Sequence, residues 1–390
     1  MARSTPAELR IAREWSLTRP VPRDAVPADN HALLELASAC PMNGDIGLCI
    51  DRAPDFFTLD HLQGDESRTG VVDGLSHGSI AGCIAVARRG GYVNGIARDL
   101  TWVGDLKVHP AHRGGDVADV LSVWAIDRCR EMGGDDVPVL FTVLAGNVAM
   151  ERRIATSRGM PPFQRFATIR THSIPFLWRR RRAARRAGSI GLRIEQARVD
   201  DVEEMADLWR RNAPTRQLAS VHDADSLARW IAAAPGLGID SYWIARRGGR
   251  IAGFAGLWDQ ASFKQLRVTA YSPRLGAARV AINGVSRLVG ATPLPPAGGI
   301  VRCLTAVHLC VPAGDADVLR TLVTSMYAAR HGRGYACLNI GLDVRDPLAS
   351  ALTGIHAQPT DVHAYIATPA GAYAGPRLDD RPVHHEIALV

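Results

Sequence analysis

Residues 113–118, Arg-Gly-Gly-Asp-Val-Ala, have the composition of an anion-binding loop at the start of a helix. The first turn of a helix carries backbone N–H groups without intrahelical partners, and the helix dipole favours negative charge there. Gly114 and Gly115 let a ligand approach the backbone closely, and Arg113 can pair with phosphate oxygens. The segment therefore predicts a binding site for a diphosphate group.

The flanking sequence supplies the elements that position such a loop. LTWVGDLKVHP at 100–110 has the apolar character of a strand and ends at a proline. After the loop, VADVLSVWAIDRCREMGG carries apolar residues at helical spacing and stops at Gly133 and Gly134. A strand, a glycine-rich loop and a helix start thus follow one another directly.

The rest of the first half is predicted to alternate helices and strands. Apolar spacing predicts helices at 31–40 and 147–158, and apolar β-branched runs predict strands at 68–74, 79–89, 137–146 and 166–174. The run at 137–146 is apolar throughout, as expected of a strand covered on both faces.

The second half repeats fragments of the first in the same order. IAG at 80–82 recurs at 251–253, LKVHP at 106–110 resembles LCVP at 309–312, and DVADVL resembles DADVL. About 32 extra residues separate these landmarks in the second copy, and we expect them within 262–299. The second loop, VPAGDADVL, lacks arginine and has two acids at its helix start, so it is predicted to bind no diphosphate.

Length and charge indicate two domains joined by a basic linker. A chain of 390 residues exceeds what one core usually serves, and we predict domains at 1–178 and 191–390 with an arginine-rich linker at 179–190. RRRRAARR carries six arginines of a formal net charge of +7. The rest of the chain is nearly neutral, which disfavours a nucleic-acid partner. A solvated tether is the favoured interpretation of the run, and attraction of an acidic partner is the alternative.

Composition also argues against a membrane protein and against a metal-binding protein. No stretch reaches the roughly 20 apolar residues of a membrane helix, and the N-terminal sequence lacks a signal-peptide core, so a cytoplasmic protein without a membrane partner is expected. The seven cysteines are odd in number and never spaced as CxxC, which predicts neither a disulfide framework nor a metal site.

The strand, loop and helix together resemble the GNAT superfamily of acyl-CoA-dependent N-acyltransferases. Its loop reads Q/R-x-x-G-x-G/A after the fourth strand; Arg113 matches the first position and Ala118 the last, whereas Asp116 replaces the middle glycine. The segments DLKVHP and AGNVAMERRIATSRGMP resemble the flanking strand and the following helix. The resemblance implies an α/β fold of the mixed α+β kind: two GNAT-like domains in tandem, each a mostly antiparallel twisted sheet flanked by helices, with splayed fourth and fifth strands.

The resemblance also implies a reaction and a set of site residues. An amine would attack the thioester of acetyl-CoA or another acyl-CoA directly, with the N–H of Val108 binding the oxyanion and no metal involved. The residues that the resemblance assigns to the coenzyme are Leu106, Lys107, Val108, Arg113, Gly114, Gly115, Asp116, Val117, Ala118 and Asn147.

The acid and base groups depart from the family's pattern. Gly104 stands where many members have a glutamate, and Ala155 stands where many have a tyrosine. Asp105 and His109 are the remaining candidates for proton transfer. Each has a structural alternative, hydrogen bonding for Asp105 and solvent exposure for His109.

The acceptor is expected to bind beside residues 40–57. Asp51, Arg52, Phe56 and Phe57 combine charge with aromatic surface and could hold a small-molecule amine. Alternatively, the phenylalanines are buried and Asp51 pairs with Arg52 on the surface. Other functions remain open: a non-catalytic regulatory protein, or an enzyme that uses a carrier-bound acyl group or aminoacyl-tRNA. A homodimer is also left open.

Overall fold

The computed structural model describes residues 19–42, 44–156, 160–178, 188 and 190–390. The arginine run at 179–186 lies outside these ranges, so its predicted role as a linker has no structural description. We call residues 19–178 the first half and residues 190–390 the second half.

The first half contains the predicted helices and strands, with their ends shifted by a few residues. Its elements are β1 (Arg23–Asp24), α1 (Asn30–Ser38), β2 (Ile46–Asp51), α2 (Phe57–His61), β3 (Glu66–Asp73), β4 (Ile80–Val93), β5 (Ile96–Val108), α3 (Val117–Gly133), β6 (Val139–Leu144), α4 (Val148–Thr156) and β7 (Gln164–Pro175).

The second half repeats this order with an additional segment. Its elements are β8 (Leu192–Gln196), α5 (Val202–Asn212), α6 (Ala224–Ala233), β9 (Tyr242–Arg247), β10 (Arg250–Asp259), β11 (Gln265–Tyr271), α7 (Pro273–Val289), β12 (Ile300–Val301), β13 (Cys303–Cys310), α8 (Ala316–Arg330), β14 (Cys337–Asp343) and β15 (Gln358–Ala367). The predicted insertion at 262–299 contains β11 and α7. Strand β11 pairs antiparallel with β2, so the insertion reaches across to the first half.

The two halves exchange strands within one twelve-stranded sheet. The order is β1-β3-β4-β5-β6-β15-β7-β14-β13-β10-β9-β8. Strand β15 of the second half lies between β6 and β7, and β7 pairs with β14 of the second half. Each half therefore completes the sheet of the other.

The repeated IAG motif lets a helix approach the sheet closely in both halves. A Cβ on Gly82 in β4 would lie 2.7 Å from Val117 Cγ1 in α3, and a Cβ on Gly253 in β10 would lie 2.8 Å from Val318 Cγ1 in α8. Both valines are fully buried. Because a larger residue would push the helix off the sheet, the shared motif reflects shared packing.

Strands β5 and β6 diverge after a short parallel contact. They pair only at Thr101↔Val139 and Trp102↔Leu140. A bulge in the β4–β5 ladder, between Cys83 and Ala85, places Asp105 at φ 53° just beyond this point. The predicted splay of the fourth and fifth strands is confirmed, and it leaves one edge of β5 unpaired.

Candidate functional site

A groove of about 350 Å³ occupies the space between the diverging strands. It is mainly apolar, with a few polar groups where β5 and β6 face each other. Its walls include Ile84, Val103, Gly104, Asp105, Leu106, Lys107, Ala125, Ile126, Phe141, Thr142, Val143, Asn147, Met150 and Phe163. An elongated ligand with an apolar body and a few polar atoms suits such a lining.

The carbonyl of Val108 lies beside this groove, because it accepts from Sγ of Cys40, which lines the groove, at 3.4 Å. Val108 pairs with Gly82, and the N–H of the next residue, His109, donates to Ala81 O at 2.8 Å. That bond identifies Val108 and Gly82 as a non-hydrogen-bonded pair of the antiparallel ladder. In such a pair, the N–H and C=O of Val108 point away from β4. The N–H is therefore free to donate to a ligand on the open side of β5.

The predicted diphosphate loop joins β5 to α3. Gly114 has φ 86° and open space around it, so glycine is required there. Among the described residues, the amides of 114–119 donate to no backbone carbonyl. Arg113 Nε donates to Val108 O at 3.2 Å, which places the guanidinium between the loop and the groove. Together these groups provide donors for an anion at the start of a helix.

For three residues assigned to the coenzyme, the structure shows what their side chains contact, and the assignment itself stays a prediction. Val117, the first residue of α3, has a fully buried side chain, so only its amide can contact a ligand. Asp116 precedes the helix without capping it through its side chain. Asn147 lines the groove, but its Oδ1 accepts from Met150 N at 3.2 Å and caps α4. Leu106 and Lys107 line the groove as the resemblance implies.

A buried ion network lies behind the bulge. Arg52 is 1% exposed; its guanidinium donates to Asp60 Oδ1 at 2.8 Å and to Asp105 Oδ2. Lys107 Nζ bonds the other Asp105 oxygen, and Thr69 Oγ1 donates to Asp60 at 2.7 Å. The network fixes the strand at the point where it leaves the sheet.

This network argues against Asp105 as a proton acceptor. Burial alone would raise the pKa of Asp105, but Lys107 and Arg52 outweigh it and hold the pKa well below its usual range. Burial likewise lowers the pKa of Lys107, but Asp105 outweighs burial and raises it. Asp105 therefore stays ionised and paired, and its structural alternative is favoured.

His109 also has a structural contact. Its Nδ1 accepts from the N–H of Ala111 at 3.3 Å at the start of the turn that leads into the loop. The ring does not contribute to the groove wall. Its catalytic role stays a prediction.

The expected acceptor residues require a correction. Phe56 is fully buried and Arg52 nearly so, with Arg52 Cζ 4.3 Å above the Phe56 ring, so neither can contact an acceptor. The alternative surface pair of Asp51 and Arg52 is also wrong, because Asp51 pairs with Arg267 of the insertion at 2.9 Å. Phe57 packs edge-on against Phe56, away from the groove.

A second cavity of about 190 Å³ lies between the halves and was not predicted from the sequence. Its polar wall includes Asp259, Gln260, Lys264, Thr305 and Asn339. It shares Ile50 and Val390 with the groove, so the two spaces meet. The long insertion was the one sequence feature that pointed to this wall.

The corresponding space of the second half is filled by the chain itself. Strands β13 and β14 pair at three positions, up to Thr305↔Asn339. Beyond them, Ile387 packs against Gly341, and the Glu386 carboxylate accepts from His308 N at 2.9 Å. The segment around residue 387 therefore occupies the place that the groove has in the first half.

No family model and no curated protein matches the sequence. Many solved structures match the chain, and three that superpose on most of it illustrate the likeness. A GCN5-related N-acetyltransferase from Sphaerobacter thermophilus has a TM-score of 0.55 at 13% identity, covering 90% of this chain and 96% of that one. N-Myristoyltransferase of Saccharomyces cerevisiae with bound myristoyl-CoA has a TM-score of 0.59 at 13% identity, covering 94% and 90%.

The third similar structure belongs to a longer protein. It is a GCN5-related glucosamine N-acetyltransferase region in a fungal multi-domain GH3 β-N-acetylglucosaminidase, with a TM-score of 0.57 at 12% identity. The match covers 89% of this chain but only 38% of the fungal one. At such low identity, these likenesses show a shared fold.

Proposed function

The chain has the fold of the GNAT superfamily, as its loop motif predicts, and we propose that it is an acyl-CoA-dependent N-acyltransferase. The active site is the groove of the first half. The observation that carries the proposal is the continuity of three features: an apolar groove, a free strand edge beside it, and a loop of unpaired amides at its end.

Coenzyme A fits these features in order. Its pyrophosphate would bind the amides of 114–118, with Arg113 turning from Val108 O to the phosphate oxygens. The pantetheine amides would pair with the edge of β5, and the acyl group would lie among the apolar side chains of the groove. The donor is acetyl-CoA or another acyl-CoA, and the reaction requires no metal.

The reaction is the attack of an amine on the thioester carbon. The new C–N bond forms while the carbonyl oxygen becomes an oxyanion, which the N–H of Val108 stabilises. The C–S bond then breaks, the nitrogen loses a proton, and the departing thiolate gains one. Holding both reactants in line supplies much of the rate enhancement.

The acceptor enters through the cavity between the halves. About 190 Å³ of mainly apolar space, with Asp259, Lys264 and Asn339 in its wall, suits a small-molecule amine. Among the described titratable side chains at the junction with the groove, Lys264 best meets the needs of a proton acceptor. Burial lowers its pKa to about 7, so the amine can be uncharged near neutral pH.

Calorimetry with acetyl-CoA tests the coenzyme site. Arg113→Ala is expected to raise the Kd about tenfold or more, since a charge-assisted hydrogen bond contributes roughly 1.5–3 kcal/mol. Arg130→Ala is the matched control, because Arg130 pairs with Asp127 and Asp135 at the other end of α3. Absence of binding at millimolar coenzyme would contradict the proposal, and so would a Kd that Arg113→Ala leaves unchanged.

Release of free thiol with a panel of amines tests catalysis. Lys264→Met is expected to lower kcat and to remove the rise of kcat with pH near 7. A protein that binds coenzyme but releases no thiol with any amine supports the regulatory alternative instead.

A further inference from the structure

Helix α7 exposes its apolar residues to solvent. None of its residues is buried. Val280 is 78% exposed, Val285 59% and Leu288 87%. A helix on the surface of a globular protein normally turns such residues toward the core, so this arrangement is inverted.

The inward side of α7 is held by polar contacts. Asn283 Nδ2 donates to Leu294 O at 3.0 Å, and Leu294 N donates to Asn283 Oδ1 at 2.7 Å. Arg279 Nη1 donates to the same carbonyl at 3.4 Å. Residues 279, 283 and 286 share one side at helical spacing, so Ala277, Ala281, Gly284 and Leu288 lie on the opposite, outer side.

The segment that carries α7 is basic. Arg274 and Arg287 are exposed at opposite ends of the helix. The sequence from residue 260 to residue 314 contains no aspartate or glutamate. The face therefore combines apolar side chains with positive charge that no nearby acidic residue in this segment balances.

We propose that α7 docks in the interfacial region of a bilayer that carries anionic lipids. Apolar side chains would enter the acyl boundary while Arg274 and Arg287 contact headgroup phosphates. A second copy of the chain fits less well: an antiparallel pair of α7 helices would bring Arg274 of each copy toward Arg287 of the other, with no acid in the segment to compensate.

This inference differs from the expectation that the protein has no membrane partner. That expectation rested on the lack of a spanning segment, and no described helix is long and apolar enough to cross a bilayer. An interfacial helix lies parallel to the membrane and needs no spanning length. The insertion that carries α7 also supplies Lys264, Gln265 and Leu266 to the wall of the cavity between the halves, so docking would hold that cavity near the lipid surface.

Vesicle co-sedimentation of the full chain tests the proposal. Vesicles of phosphatidylcholine alone are compared with vesicles that also contain phosphatidylglycerol. The wild-type chain is expected to bind only the anionic vesicles, and less at high salt. The triple variant Val280→Ser, Val285→Ser, Leu288→Ser is expected to bind about tenfold more weakly or worse.

Two further variants separate charge from apolar contact. Arg274→Gln with Arg287→Gln is expected to weaken binding and to reduce its salt dependence. Val199→Ser is the control, because Val199 is 74% exposed on another part of the second half. Thermal unfolding of each variant checks that the fold is retained.

Two results would overturn the proposal. One is equal sedimentation of the wild-type chain and the triple variant with anionic vesicles. The other is a wild-type dimer in sedimentation equilibrium that the triple variant converts to a monomer, which would assign the face to a second copy.

Discussion

The two halves share one backbone plan but use it differently at the same position. Asp105 in β5 and His308 in β13 both have a positive φ, 53° and 49°, at a bulge where the strand leaves its neighbour. In the first half the space beyond the bulge is an open groove; in the second, Ile387 and Glu386 fill it. The same splay can therefore either bind a ligand or receive part of its own chain.

The loops that follow β5 and β13 differ in length and in their backbone hydrogen bonds. Residues 109–116 separate β5 from α3, and the shorter stretch 311–315 separates β13 from α8. In the second loop the N–H of Asp315 donates to Pro312 O at 2.9 Å, and Asp315 O accepts from Val318 N. The N–H of Asp315 is therefore occupied within the turn, whereas the N–H of Asp116, which also directly precedes its helix, donates to no described backbone carbonyl. That the second copy binds no diphosphate stays a prediction.

Side chains around the two bulges differ in charge. Asp105 belongs to an ion network with Arg52, whereas His308 Nδ1 lies 2.7 Å from the Tyr242 hydroxyl in an aromatic setting. Burial lowers the pKa of His308 to about 3, so the ring is neutral. The Asp105 side chain at the first bulge is thus held by a buried ion pair, and the His308 ring at the second bulge by a neutral hydrogen bond.

The largest expected effect follows from breaking the ion network of the first half. Arg52→Met leaves Asp60 buried without its cation and Asp105 with Lys107 alone, and we expect the free energy of unfolding to fall by about 3–5 kcal/mol. Arg267→Met, which removes a partly exposed pair with Asp51, should cost about 1 kcal/mol or less. Chemical denaturation measures the free energy of unfolding of both variants. Equal losses would contradict the expected difference between a buried ion network and a partly exposed ion pair.

Displacing the segment that fills the second half is the next test. A Cβ on Gly341 would lie 2.5 Å from Ile387 Cγ2, so Gly341→Val should cost about 1–3 kcal/mol by overpacking. Adding Ile387→Ala should restore part of the loss. The coenzyme stoichiometry in calorimetry should stay at one, because the second loop has no arginine and has two acids at its helix start; a second bound coenzyme would disprove this explanation.

The neutral histidines of the second half predict a pH dependence. Burial lowers the pKa of His222 to about 4 and those of His308 and His385 to about 3. The unfolded chain protonates these rings near pH 6.5, so it binds more protons than the folded chain below that pH, and stability falls as the pH drops from about 6.5 toward 4. Each ring contributes a slope of up to about 1.4 kcal/mol per pH unit.

A single substitution checks this slope. His222→Phe should reduce the slope of the free energy of unfolding against pH, between pH 6 and about 4.5, by the amount that one ring contributes. His31→Phe, at an exposed position on α1, should leave the slope unchanged. Identical slopes for the His222 variant and the wild-type chain would rule out a buried neutral ring.

The smallest expected effect is the difference in stability between glycine substitutions in the two loops. Gly114→Ala places a side chain at φ 86° and should cost about 1 kcal/mol in thermal unfolding. Gly314→Ala, where the space is open and φ is not positive, should be neutral or stabilise by about 0.5 kcal/mol. Equal effects would show that the first loop does not require its left-handed residue.

Much of the fold could be predicted because its determinants are local in the chain. The alternation of apolar residues located the strands and helices of the first half, and the repeated IAG motif indicated the duplication. The site was predictable only where it consists of backbone: the loop at 113–118 and the edge of β5. The acceptor side was not, because the sequence left burial of the phenylalanines open and gave no sign that Arg52 is buried; only packing shows that Phe56 and Arg52 both are.

The sequence by itself determined the repeated order of strands and helices and the glycine-rich loop, since a helix start, a glycine position and an apolar period are properties of neighbouring residues. The splay of the strands was implied by the family resemblance. The tertiary structure decided that the space between the diverging strands is open in the first half and filled in the second. It also decided the exchange of β7 and β15, the pairing of Arg52 with Asp105 and the 3.0 Å approach of Cys303 and Cys337. These contacts join residues far apart in the chain, and no local spacing encodes them, because their energies depend on burial that exists only after the halves have packed together.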